Sequence, residues 1–212
     1  MKLVEQQVQT FTQSLSSDSP APGGGSASAL MGAQGAALTA MVCALTVGKA
    51  KYAAHQALAE ETRAKAEALR QRFLEVIDQD TEAFLTVSAA YAMPKATEEE
   101  RLERSAAIQK GLALCTETPL LMMELSAQGL ELTAALLGRF NENAASDLGV
   151  AAASLGACLR GAWLNVLINV GSLKDKALAR HYQAQGEILL ERALPLSEKA
   201  YQSITNILQP SF

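Results

Sequence analysis

Residues 19–26 read Ser19-Pro20-Ala21-Pro22-Gly23-Gly24-Gly25-Ser26, and they open an uncharged stretch rich in alanine and glycine, SASALMGAQGAALTAMVCALTVG, from Ser26 to Gly48. A proline- and glycine-rich turn feeding a helix leaves several backbone N–H groups unpartnered at the positive end of the helix dipole, where an anionic group can sit. The same punctuation also precedes ordinary helices, with Ser26 as an N-cap or first-turn residue. The P-loop lysine is missing after the glycines and the dinucleotide fingerprint does not fit, so nucleotide binding is not indicated. At this length the segment could cross a bilayer. Its small residues, with Leu30, Met31, Leu38, Met41, Val42 and Leu45 on part of the surface, give weak transfer energy and read instead as a central helix packed on all sides.

Outside this helix the chain continues in the same mode. Its 212 residues are enough for one core, and residues 1–212 read as a single domain with no linker. Aromatics at 5% and abundant Ala, Leu, Glu and Gln favour helices over strands, so the class is all-α. One helix is predicted over Lys2–Leu15, with Leu3, Val4, Val8, Phe11 and Leu15 on one face. A second fills the stretch to Gly48, and a third runs from Ala53 to Met93, where Pro94 ends it. Thr97 and Glu100 form a capping box that starts the next helix, with a restart or kink at Pro119 and an end near Gly138. Two more follow, to about Gly171 and from Lys174 to Leu208, the last with a possible kink at Pro195. The small residues of the second helix and of the helix ending near Gly171 allow close backbone approach, at the bundle centre or a subunit interface.

A net charge of -4 and the lack of any Lys/Arg cluster interleaved with aromatics exclude a nucleic-acid footprint. Cys43, Cys115 and Cys158 are an odd count without metal-ligand spacing, as expected of buried thiols in a reducing, cytoplasmic setting. The N-terminal MKLVEQQ is amphipathic and acidic, not a signal peptide.

On the helix beginning near Ala144, Asp147, Ser154, Cys158, Asn165 and Asn169 fall within roughly 40° of one direction at about 100° per residue. A polar stripe on an apolar helix calls for partners, water or a ligand. Asp147 and Asn165 are nevertheless about 27 Å apart along the axis. Either the stripe serves two regions, or an antiparallel copy from a symmetry-related subunit brings opposite ends together. Asn165 and Asn169 tying neighbouring helices together is an equal alternative. By periodicity alone Asp80, in DQDTEAF, reads as a surface acid.

Taken in order, PAPGGGS (20–26), Lys49-x-Lys51-Tyr52, Asp80 with Glu82-Ala83-Phe84, NENAASD (141–147) and NVLIN (165–169) resemble the cyclodeaminase/cyclohydrolase family, over nearly the whole chain. That resemblance implies an up-and-down helical bundle, a homodimer, and a folate groove near the subunit interface. It implies a tetrahydrofolate derivative as substrate, with no metal or redox cofactor. The first reaction it suggests is cyclodeamination of 5-formiminotetrahydrofolate to 5,10-methenyltetrahydrofolate and ammonia. Methenyltetrahydrofolate cyclohydrolysis is the alternative, and a non-catalytic folate-binding or scaffold bundle is the alternative of another class. Both reactions need one placed carboxylate and hydrogen-bond donors. Asp147 is the leading acid/base candidate and Asp80 the second. Asn143, Asn165 and Asn169 would orient pterin or amide groups. Gly23, Gly24, Gly25, Ser26 and Lys49 would hold an anionic part such as the glutamate tail. Phe140 departs from the family pattern, which has glycine just before the Asn-x-Asn segment.

Overall fold

The computed structural model describes residues 2–210 and contains six α-helices and no strand among them. They are α1 (Val8–Leu15), α2 (Gly24–Thr46), α3 (Gln56–Ala92), α4 (Glu98–Ala135), α5 (Ala145–Ser172) and α6 (Lys176–Leu208). Helices α2 to α5 pack cyclically, each on the next and α5 back on α2, and α6 lies against α4 and α5. From α2 onward sequential helices run antiparallel: Gly25 and Gly32 meet Asp80 and Phe73, Arg104 and Gly111 meet Tyr91 and Val87, Cys115 and Gly129 meet Asn169 and Leu155, and Gly186 and Ser197 meet Trp163 and Gly156. The result is an up-and-down bundle.

Helix α2 is central because its own composition permits it. The glycines at 25, 32 and 35 face Asp80, Phe73 and Leu155 so closely that a Cβ at any of them would overlap the neighbour. Large side chains from α3 and α5 fill the space instead, and Phe73 and Leu155 are fully buried. Two helical segments are long and apolar enough to cross a membrane, Gly24–Thr46 with mean hydropathy 1.5 and Glu142–Ser172 with 1.4; about half of each is buried in the bundle. In both, much of the remaining exposed surface is apolar too, with Met41 and Leu45 on α2 and Val150, Leu164 and Ile168 on α5, interrupted by Gln34 on α2 and Arg160 on α5.

Two local expectations, an unbroken first helix and a helix restart at Pro119, are corrected. The first helix is broken: a 3-10 turn at Leu3–Glu5 precedes α1, and the Leu3 N–H donates to Asp78 Oδ1 at 2.8 Å. That anchor holds the N-terminal turn on α3, and of the predicted face Phe11 is buried while Val8 is 78% exposed. Pro119 does not restart a helix, because α4 runs through it, and α6 likewise runs through Pro195. The Thr97 capping box is present, with Glu100 N–H donating to Thr97 Oγ1 at 3.1 Å. Phe140 is buried against Leu136, Leu148 and Ile204, and the chain reversal before α5 uses Gly138, at φ +71°, instead.

Candidate active site

The N-terminus of α2, the C-terminal half of α3, the middle of α4 and the C-terminal half of α5 converge on one cleft of about 340 Å³. Its walls are the proline–glycine turn (Pro20, Ala21, Gly23, Gly24, Gly25), Asp80, Thr81 and Phe84 of α3, Cys115 of α4, and Asn165, Ile168, Asn169 and Ser172 of α5. Of the sequence candidates, the three glycines, Asp80, Asn165 and Asn169 therefore share one site.

Asp80 is the only acid among the cleft's walls. Gly23 caps α2 without a side chain, and Asp80 reaches across from α3 to that helix start. Its Oδ2 accepts from Ser26 Oγ at 2.8 Å, and the Ser26 backbone N–H further favours its charged form. Gly25 makes the approach possible, since any Cβ there would fall on the carboxylate. The anion predicted for the glycine turn is thus supplied in part by the chain itself. Burial dominates the titration: removal from water raises the Asp80 pKa above the usual carboxylate value, and the two Ser26 groups offset only part of that. A carboxyl poised in this way can take up and return a proton nearer neutral pH than an exposed one. Ser26 is fully buried and reaches the site through Asp80 and, at 3.4 Å, through Thr81 Oγ1.

The two asparagines are fixed by backbone carbonyls. Asn165 Nδ2 donates to Gly161 O at 2.8 Å, and Asn169 Nδ2 donates to both Cys115 O at 2.7 Å and Asn165 O at 2.8 Å. Asn169 thus ties α5 to α4, as one reading of the sequence foresaw, and also lines the cleft. The Cys115 thiol has its pKa raised to about 11, by burial and then by the Asp80 charge, so it stays protonated at neutral pH. Cys43 and Cys158 are fully buried.

The other candidates lie at the opposite end of the α2/α5 pair. Lys49 and Asn143 line a shallow depression with Ala50, Lys51, Tyr52, Asn141 and Glu142. There Asn141 ties the start of α5 to the end of α2, its N–H donating to Thr46 Oγ1 at 2.9 Å and its Nδ2 to Leu45 O at 3.0 Å. Asp147 follows in the first turn of α5, half-buried, and makes no hydrogen bond or ion pair among the described residues. The polar stripe on α5 divides accordingly: Asn165 and Asn169 face the cleft, Cys158 is in the core, and Asp147 stands at the far end. Cleft residues that the sequence reading did not single out include Thr81, Cys115, Ile168 and Ser172. Only Cys115 carried a signal, through the proline four residues after it. Among the described residues no three His, Cys, Asp or Glu side chains come together as a metal-ligating group.

An all-helical bundle with a partly buried acid and two oriented carboxamides in an interhelical cleft defines the class of the molecule. Residues 7–187 match the formiminotransferase-cyclodeaminase family, and the chain belongs to that family. It is 41% identical over 197 residues to a methenyltetrahydrofolate cyclohydrolase of Methylorubrum extorquens, covering 93% of this chain and 95% of the relative. It is 31% identical over 191 residues to the formimidoyltransferase-cyclodeaminase of Rattus norvegicus, of whose length the match spans 35%. A crystal structure of formiminotetrahydrofolate cyclodeaminase from Thermotoga maritima superposes with a TM-score of 0.83 at 25% identity, covering 98% of both chains.

Proposed function

We propose that the chain is a folate one-carbon enzyme that hydrolyses 5,10-methenyltetrahydrofolate to the 10-formyl compound, with Asp80 as the acid/base. The observation that carries this reading is the convergence of the partly desolvated Asp80 with Asn165 and Asn169 in one cleft. The 41% identical relative, named as a cyclohydrolase and matched over 95% of its length, supports hydrolysis over the cyclodeamination read first from the sequence. The methenyl carbon is electrophilic. Asp80 in its charged form takes a proton from water as the water oxygen bonds to that carbon, and returns it to the ring nitrogen as the carbon–nitrogen bond breaks; the remaining hydroxyl proton is released to solvent as the formyl C=O forms. The carboxamides hold the amide and amine edges of the pterin. Cyclodeamination is the second reading, favoured by the likeness to the Thermotoga maritima structure. It uses the same carboxyl to accept the proton of the attacking amine and pass it to departing ammonia.

The homodimer belongs to this proposal. The largely apolar outer surface of α2 and α5, with Leu164 66% and Ile168 73% exposed and Arg160 an exposed charge on α5, supports a second copy there. An antiparallel partner across this surface would carry its Lys49, Asn143 and Asp147 toward the cleft, so that the charged tail and a second carboxylate come from the other subunit. The chain works in the cytoplasm, without a metal or redox cofactor and apart from membranes and nucleic acid, in this reading. Purified protein incubated with 5,10-methenyltetrahydrofolate, followed by near-ultraviolet absorbance, tests it: loss of the signal above the spontaneous rate is the expected outcome. Appearance of the signal from the 5-formimino compound would instead establish the deaminase. Acceleration of neither by folded protein would favour a binding or scaffold bundle.

A further inference from the structure

In a regular α-helix the N–H of residue 119 would donate to the carbonyl of residue 115. Proline has no N–H, and its ring presses on the carbonyl four residues earlier. Pro119 lies inside α4 and is buried, so Cys115 O loses its helical partner at the wall of the cleft. Asn169 Nδ2 donates to that carbonyl at 2.7 Å, and to Asn165 O at 2.8 Å. Both amide hydrogens of Asn169 are therefore committed to backbone oxygens. What its carboxamide can offer a ligand is the Oδ1 alone.

The geometry points to Pro119 as a positioning residue: by freeing the Cys115 carbonyl, it fixes the Asn169 amide so that the cleft presents a hydrogen-bond acceptor there and no donor. The consequence rests on the folate reading above. A pterin displays ring N–H and amino donors as well as a carbonyl acceptor, and an amide free to turn over could face either edge. With the nitrogen side tied down, only a donor edge is matched, and the pterin is held in one orientation. Pro119 touches no ligand; it acts through Asn169.

Pro119→Ala supplies an N–H that competes for Cys115 O and improves helix propensity, so the variant folds. Two measurements test the inference. Side-chain amide signals of Asn169 in a 15N-labelled protein without ligand are expected to shift and lose protection from exchange in Pro119→Ala. If they do not move, Pro119 does not position Asn169, whatever the substrate is. In a double-mutant cycle on the methenyltetrahydrofolate reaction, Pro119→Ala alone is expected to raise KM about five- to tenfold with kcat little changed, the worth of one oriented hydrogen bond. In an Asn169→Ala background it is expected to do nothing further to KM, while restoring stability by giving the orphaned Cys115 carbonyl its helical partner. An equal KM effect in both backgrounds would assign Pro119 a general structural role and overturn the inference. Failure of wild-type protein to bind or turn over the folate sinks the functional reading alone, because the amide signals still decide the positioning.

Discussion

The two ends of the α2/α5 pair are built from similar residue types and do opposite things with them. At the Gly24 end, a carboxylate and two carboxamides are partly withdrawn from water and held by Ser26 and by carbonyls of Gly161, Cys115 and Asn165. At the Lys49 end the charges stay wet: Lys51 pairs with Glu142 at 2.7 Å while their side chains remain 68% and 61% exposed. That Glu142 contact raises the Lys51 pKa, but solvent screens it and it holds little of the fold together. A preorganised site needs both fixed direction and a low local dielectric, and only the first end has them. The second end has the charge that a polyanionic substrate tail needs and no enclosure of its own.

The comparison breaks most sharply at Asp80. Asp80→Asn is expected to lower kcat by about 100- to 10,000-fold, the range for a lost acid/base, in the methenyl assay. Its effect on stability has the other sign. The Asp80 pKa is raised in the folded state, so its contribution to stability is fully present below the unfolded pKa and lost as pH rises through the folded one. At pH 7 the asparagine variant should accordingly melt higher, by roughly a few degrees. The gap should close as pH falls toward the ordinary carboxylate range; a lower melting temperature at pH 7 would contradict the burial argument. In the wild type, kcat/KM should climb with pH as Asp80 ionises, then level off.

Asp147→Asn sharpens the contrast from the far end. If a partner subunit completes the cleft, this variant is inactive yet folded, and mixing it with Asp80→Asn protein restores activity. Random reassortment gives hybrids with one intact composite site, about a quarter of wild-type turnover. Full activity of Asp147→Asn alone removes the far end from the chemistry. Gly25→Ala forces a Cβ onto the Asp80 carboxylate and should cost about 1–3 kcal/mol in denaturant unfolding, along with most of the activity. Gly23→Ala meets nothing within 4 Å and is the matched steric control, with a smaller loss in denaturant unfolding. Lys51→Met is the smallest expected effect, leaving the melting temperature unmoved.

Much of this architecture was readable from periodicity and punctuation. The glycine turn, the capping box at Thr97 and the alternation of long amphipathic segments gave α2 to α6 nearly in place. The errors were tertiary. Gln6 and Gln7 interrupt the first predicted helix in extended conformation, and only the Leu3 contact with Asp78 explains where that turn is held. Pro119 is tolerated inside α4 because Asn169, fifty residues later, satisfies the carbonyl it frees. For the site, the family resemblance named Asp80, Asn165 and Asn169, which share the cleft, together with Lys49, Asn143 and Asp147, which lie at the other end; spacing on α5 grouped Asn165 with Asn169. The same stripe includes Asp147, which lies at the opposite end of α5 from the cleft. Nothing local to DQDTEAF says that Asp80 lies under Gly25, because the helix that buries it is some fifty-four residues earlier.

Helix α2 carries glycine at 24, 25, 32 and 35, and each lowers helix propensity by about 1 kcal/mol relative to alanine. Cut free, the segment would be a poor helix, although it is the axle on which α3 and α5 turn back. Its order has to come from long-range closure: Phe73, Leu155 and Asp80 must arrive before the central rod is worth forming. The middle of the molecule is therefore a late acquisition of folding, and backbone amides of α2 should exchange with solvent only when the whole bundle opens.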